Sequence, residues 1–174
     1  VYTVPFTWMS EQGRFDVQER NEFFADGFSM RMPVQGTVAR GHIPYEYAGV
    51  AAQPENPLAN PYLPSTNMLA VGKKKFETYC SPCHGNYGDG DSRLRGQFPN
   101  PPSLHSEKVR TWKDGNIYHV IVNGQNVMPS YAVQITEEER WSIVSYIRVL
   151  QKAKNSTEED IKQVRKELSA NVAQ

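Results

Sequence analysis

Leu69-Ala70-Val71-Gly72-Lys73-Lys74-Lys75-Phe76-Glu77-Thr78-Tyr79-Cys80-Ser81-Pro82-Cys83-His84 reads as one helix that runs into a cysteine pair and a histidine. Leu69, Gly72, Phe76 and Tyr79 recur at helical spacing, and the three lysines fall on the other face. The closing pentapeptide holds both cysteines of the chain in C-x-x-C-H order, the pattern of covalent c-type haem attachment. A helix ending this way presents two thiols to the two vinyl groups of one haem and sets the adjacent imidazole beneath the iron as an axial ligand. With two Cys and four His among 174 residues, random placement would produce the pattern with a probability on the order of 3 in 10,000, so chance is a poor account of it. A thioredoxin-like pair would want a βαβ context, which the sequence lacks. A zinc site needs four ligands, and His42, His105 and His119 form no second paired cluster. A disulfide across two residues would staple almost nothing.

Iron with one histidine ligand needs a sixth ligand or an open face, and that choice separates an electron carrier from a catalyst or gas sensor. Asn123-Gly124-Gln125-Asn126-Val127-Met128-Pro129-Ser130-Tyr131 supplies the candidate. Met128 follows a helix-ending glycine and precedes a proline that stiffens the loop, an arrangement that holds a thioether rigidly. The competing reading is a methionine packed in a core. Met9, Met30, Met32 and Met68 are the other methionines, all before the haem motif and without that loop context. Ligation by His84 and Met128 leaves no open coordination position and raises the reduction potential, which implies electron transfer rather than peroxidase or oxygenase chemistry. His119, within a helix after Tyr118, reads as a packed or surface residue rather than a distal acid–base group.

Further along, Trp112 to Asn123 carries Ile117, Val120 and Ile121 at helical spacing before Gly124. Thr136 and Glu139 form a capping-box pair ahead of the stripe Trp141, Val144, Ile147 and Leu150. Ser156 and Glu159 form another ahead of Ile161, Val164 and Leu168. No run alternates at period two, so the fold class expected is all-α, with an extended, irregular N-terminal arm and a C-terminal amphipathic helix.

The arm is legible from composition. Residues 1–67 hold seven of the 12 prolines, four arginines, no lysine and seven acidic residues, whereas residues 68–174 hold 15 basic and 12 acidic residues. Pro44, Pro54, Pro57, Pro61 and Pro64 remove N–H donors where apolar periodicity also vanishes. We therefore expect an arm over 1–67, a haem domain over 68–152 and a terminal helix over 153–174. Phe6, Trp8, Phe15, Phe23, Phe24, Phe28, Tyr45, Tyr47 and Tyr62 give the arm the anchors of a permanent interface. The alternative is a loop wrapped on its own haem domain. Nineteen basic against 19 acidic residues disfavour nucleic acid as a partner. Trp141 to Leu150, the longest apolar-rich region, is interrupted by Ser142, Ser145 and Arg148 and is too short to span a bilayer. Val1 in place of Met is expected to mark a processed or trimmed terminus.

From Leu69 to about Leu150 the chain resembles a class I cytochrome c domain. Gly72, Phe76 and Tyr79, then Pro101-Pro102, Met128-Pro129, and Trp141 with Tyr146 carry the resemblance. It implies a close crossing of the first and last helices at Gly72, one covalently attached haem c, and a pocket lined by Pro101 or Pro102. It also implies that Trp112 reaches a haem propionate, against the alternative that Trp112 fills a core gap. Phe23-Phe24-Ala25-Asp26-Gly27 and Ser29-Met30-Arg31-Met32-Pro33-Val34-Gln35-Gly36-Thr37-Val38-Ala39-Arg40-Gly41 are similar to the N-terminal segment of the mono-haem cytochrome c subunit of alternative complex III, a bacterial membrane-bound quinol oxidoreductase. That resemblance implies a carrier subunit without catalytic residues of its own, relaying single electrons to a downstream oxidase or soluble carrier. The other subunits of the complex are then its partners. The expected location is the periplasmic side of the bacterial cytoplasmic membrane, reached through the complex or through a lipidated cysteine preceding Val1. The rival expectations are a free diffusible periplasmic cytochrome c and a haem-based sensor or enzyme with a displaceable sixth ligand.

Overall fold

A computed structural model describes residues 12–40, 43–97 and 99–172. Phe6, Trp8, Met9 and His42 lie outside the described residues, as does the side chain of Leu168. Among the described residues the regular elements are helices, and β pairing is limited to isolated bridges. The chain forms two compact units that divide between Pro44 and Tyr45.

The first unit is built from turns. Arg20 and Phe28 form an isolated antiparallel bridge, and the Asn21 N–H donates to the Gly27 carbonyl at 2.9 Å. Gly27 sits at φ +72°, the left-handed region that glycine enters without a Cβ penalty. Inside this turn Phe23 and Phe24 meet edge to face at 5.0 Å, and the Arg31 guanidinium lies over Phe24 while pairing with Asp26 at 2.5 Å. The aromatic payload stays outside: Phe23 is 86% exposed and Met32 89%, with Phe15, Val17, Phe28, Met30 and Val34 also exposed.

The second unit contains α1 (Thr66–Lys75), a π-helical turn (Phe76–Cys80), α2 (Ser81–His84), α3 (Glu107–Thr111), α4 (Asp114–Asn123), α5 (Glu137–Lys154) and α6 (Glu158–Val172). Ser65 caps α1 by accepting the Met68 N–H at 3.1 Å. Thr136 and Glu139 close the capping box of α5 with both reciprocal bonds. The expected box at Ser156 moves one residue along. Thr157 and Asp160 exchange the capping bonds, while Ser156 donates its hydroxyl back to Ala153. Trp112, expected inside a helix, instead occupies the extended corner between α3 and α4, because Lys113 and Asn116 cap α4 from just beyond it.

α1 crosses α5 at Gly72. A Cβ there would overlap the Ser142 carbonyl oxygen and come within 3.1 Å of the Tyr146 Cβ, so only a residue without a side chain admits this approach. Lys75 and Glu139 pair at 2.7 Å beside the crossing. Phe76, Ile117, Ile121, Trp141, Val144 and Ile147 fill the core between these helices, and Trp141 stacks on Tyr118 with centroids 4.2 Å apart.

Residues 45–65, grouped with the arm on composition, belong to the helical unit. Proline removes donors but does not stop packing when side-chain amides take over the bonding. Asn116 donates to the Gln53 Oε1 at 2.9 Å, Asn60 to Ser145 at 3.2 Å, and Gly115 lies against the Leu58 backbone so closely that a Cβ would collide with it. Among the described residues no helix is long and apolar enough to cross a membrane.

Candidate haem site

The π turn decides how the motif is delivered. The Ser81 N–H reaches back five residues to the Phe76 carbonyl, and the Thr78 and Ser81 hydroxyls donate to the Lys74 and Glu77 carbonyls at 2.8 and 2.7 Å. One residue is thereby inserted into the helix just before Cys80, which resets the face on which Cys80, Cys83 and His84 emerge. Gly85, at φ +79°, turns the chain away, and a Cβ there would meet the Asp91 carbonyl oxygen at 2.6 Å. The following loop is pinned by Gly90 N–H to His84 carbonyl and Leu104 N–H to Gly88 carbonyl, both 2.8 Å, and by His105 Nε2 at 2.7 Å from the Tyr87 carbonyl.

Beyond this turn lies a cavity of about 310 Å³. Cys80 and His84 line one part of it, Pro101 and Pro102 another, Trp112 a corner and Met128 the loop side. Phe76, Leu104, Val109, Ile117, Ile121 and Ile147 supply apolar wall. Six of the seven site residues expected from sequence therefore face one cavity. Cys83, half-buried, sits a turn from Cys80 without lining the cavity.

The donor chemistry fits a c-type haem. Both thiols are free, and burial with the neighbouring Cys83 pushes the Cys80 thiol up to about 12. A thiol so hard to ionise is a poor participant in disulfide exchange, against the redox-pair reading. Burial also holds His84 below the ordinary histidine value, so its ring is neutral, the form in which imidazole ligates a metal. Its Nδ1 is buried without a hydrogen-bond partner. An unpaired buried imidazole nitrogen beside free thiols and an apolar cavity is costly unless the ring has another use, and iron ligation is one. Among the described residues no three His, Cys, Asp or Glu side chains gather as a metal-binding group.

Met128 is held by its own loop. Gln125 and Met128 exchange both backbone bonds, at 3.0 and 2.9 Å, and the Ser130 hydroxyl donates to the Val122 carbonyl at 2.5 Å. Gly124 is required at the loop's start, since a Cβ at its φ of +75° would overlap the Met128 carbonyl oxygen. Of the other described methionines, Met68 is buried in the core against Ser145, and Met30 and Met32 are exposed in the first unit. His119 is 1% exposed and lies off the cavity, with Nδ1 at 3.0 Å from the Tyr45 hydroxyl. Trp112 is half-buried, and its carbonyl accepts a bond from Arg148.

Sequence reasoning missed α3 and the residues that hold the cavity wall. Arg148 donates to Asp114 at 2.7 Å as well as to Trp112, and Gln151 donates to the Leu104 carbonyl at 2.7 Å, so one face of α5 fixes the 104–112 segment. A polar residue three places from another on an otherwise apolar stripe was the available signal. The lysine run also looks different in three dimensions. Lys75 is spent on Glu139, leaving Lys73 and Lys74 to meet solvent or an acidic partner, with Lys73 only loosely paired to Glu77 at 3.9 Å.

Residues 67–147 match the family model described as cytochrome C oxidase, cbb3-type, subunit III. They form a cytochrome c domain. Such a domain implies haem c and electron transfer. A chain of the reducing HAO-like protein complex of Kuenenia stuttgartiensis is similar at 28% identity with a TM-score of 0.44, over 57% of this chain. This chain spans about half, 51%, of that one's length. No curated protein matches it.

Proposed function

We propose that this chain is a mono-haem cytochrome c subunit of a membrane-bound quinol oxidoreductase, alternative complex III, on the periplasmic side of the bacterial cytoplasmic membrane. The observation that carries the electron-transfer role is the single cavity faced by Cys80, His84 and Met128. Bound haem supplies a one-electron ferric–ferrous couple at this site. Cys80 and Cys83 would hold it by thioether bonds, His84 and Met128 would ligate its iron, and Pro101, Pro102 and Trp112 would wall it. A Met128 thioether on the iron would favour the ferrous state and leave no open coordination position, which is the chemistry of a chain that carries electrons rather than one that transforms a substrate. Leu104, Val109, Ile117, Ile121 and Ile147 keep water from the site, which further tunes the potential.

The subunit role draws on the first unit. Its Phe23, Phe28, Met30 and Met32 are exposed apolar side chains of the kind that large permanent interfaces cover. The partners proposed are the complex's other subunits, with a downstream oxidase or soluble carrier accepting the electron and a lipidated cysteine before Val1 as a further anchor. The family model's description favours a second reading, in which the same electron-carrying role serves an oxidase directly.

Mild-detergent purification from native membranes through a tag on this chain tests the proposal. We expect a multi-subunit assembly in which added quinol reduces this haem. Elution as a lone monomer would support the diffusible cytochrome instead, and co-purification with an oxygen-consuming oxidase would support the second reading. Ready CO binding by the ferrous protein would favour a sensor or enzyme.

A further inference from the structure

The segment 45–53 runs along α4 from end to end. At the helix N-terminus Asn116 donates to Gln53 at 2.9 Å. In the middle of the helix the Tyr45 hydroxyl meets His119 Nδ1 at 3.0 Å, and at the C-terminus Asn123, the last helical residue, makes three bonds to the segment. Its Oδ1 accepts the Gly49 N–H at 2.8 Å, and its Nδ2 donates to the Tyr47 and Val50 carbonyls at 2.9 and 3.2 Å. Gly49, at φ +76°, makes the turn that brings these groups to one side chain. Across a cleft of about 360 Å³, Gly49, Val50 and Ala51 face Gly124, Gln125 and Met128.

We infer that residues 45–53 are a strap that aims the Met128 loop, acting through Asn123 as a positioning residue for the sixth axial ligand. The argument is one of leverage. The loop leaves α4 at Gly124, a residue with the widest backbone freedom, and returns at Ser130 and Tyr131, which bond to Val122 and Ile121. Its exit direction is therefore set by whatever fixes Asn123, and a side-chain amide with three backbone partners is a strong fixing point. Nothing in the haem motif supplies that constraint. The strap does, and it explains why a segment without a regular element, flanked by Pro44 and Pro54, is ordered on this face. This inference rests on the reading of Met128 as a ligand.

The test uses the holoprotein with Asn123→Ala, Asn123→Asp and Met128→Ala. Asn123→Ala should speed amide exchange at Gln125 and Met128 about tenfold by releasing the loop. It should also bind imidazole, as a probe for the sixth position, about tenfold more tightly and lower the reduction potential. Asn123→Asp, which keeps the acceptor for Gly49 but loses both donations, should fall between. Should Asn123→Ala not fold, Tyr45→Phe removes a separate strap anchor and should shift the same readouts in the same direction by less. Unchanged loop exchange together with unchanged imidazole affinity would overturn the strap. Met128→Ala reports on the ligand reading separately: it should abolish the weak far-red band of methionine-ligated ferric haem. If that band survives, the ligand assignment fails, and loop exchange in Asn123→Ala still decides whether the strap holds the loop.

Discussion

Single residues carry two of this fold's tightest constraints. At Gly72 the α5 backbone occupies the place of a Cβ, so Gly72→Ala should force α1 and α5 apart and cost about 1–3 kcal/mol, read as a lower urea midpoint of the holoprotein with an unchanged slope. The resemblance to a class I cytochrome c domain implied this crossing, and the pattern alone placed Gly72 only at helical spacing with Leu69, Phe76 and Tyr79. His119 was legible only in part, as a packed residue. Burial holds its pKa below the ordinary 6.5 although bonds to the Val50 and Ala52 backbone oppose the shift, and the Tyr45 hydroxyl and Asn123 amide are its other polar neighbours. The unfolded chain therefore takes up the proton first as pH falls, and the neutral ring's contribution is complete above about 6.5 and drains away below it. A pH series of urea midpoints should show the native chain losing stability from pH 7 to 5 more steeply than His119→Gln; parallel curves would contradict this role.

Elements were legible where their signals are local. The helices containing Leu69, Ile117 and Trp141 follow from 3.6-residue stripes, and the α5 capping box was readable from Thr136 and Glu139. The π turn was not, since Phe76 to Cys80 looks like ordinary helix until the Ser81 N–H is seen to reach Phe76. Nor was the cavity wall, whose order depends on bonds across dozens of positions: Arg148 to Asp114 and Trp112, Gln151 to Leu104. Of the site itself, the spacing of Cys80, Cys83 and His84 announced the chemistry, and the loop around Met128 announced a partner for it. That Leu104 and Val109 wall the same cavity depends on tertiary bonding that no local pattern encodes. At this scale we expect Arg148→Ala to destabilise the holoprotein by about 1 kcal/mol, because losing a charged donor leaves half-buried acceptors on Asp114 and Trp112 unpaired, with solvent screening part of the loss. Hydrogen exchange should locate the loss: amides in 104–112 should exchange faster while those of the α1–α5 crossing hold. Uniform acceleration across the second unit would mean that Arg148 supports the whole core rather than the wall.

At the scale of the whole chain, composition drew the boundary at residue 67 and the structure draws it after Pro44. The discrepancy has a physical origin. Proline content reports the lack of backbone donors, whereas membership of a unit depends on where Leu58 packs and what Asn116 and Asn123 bond, which are long-range facts. This changes how the arm should be tested. Removing residues 1–67 would take away the strap and the Leu58 contact as well as the arm, and would confuse loss of a partner with loss of the Met128 loop. Removing residues 1–44 leaves every described bond of the second unit in place. We expect that shorter deletion to keep the holoprotein's midpoint, potential and far-red band, and to abolish its retention in the membrane assembly, since the exposed Phe23, Phe28, Met30 and Met32 go with it. Full retention of the truncated chain would move the interface to the haem domain or α6. A lowered midpoint with retention intact would mean that the arm covers its own domain, the alternative its composition left open.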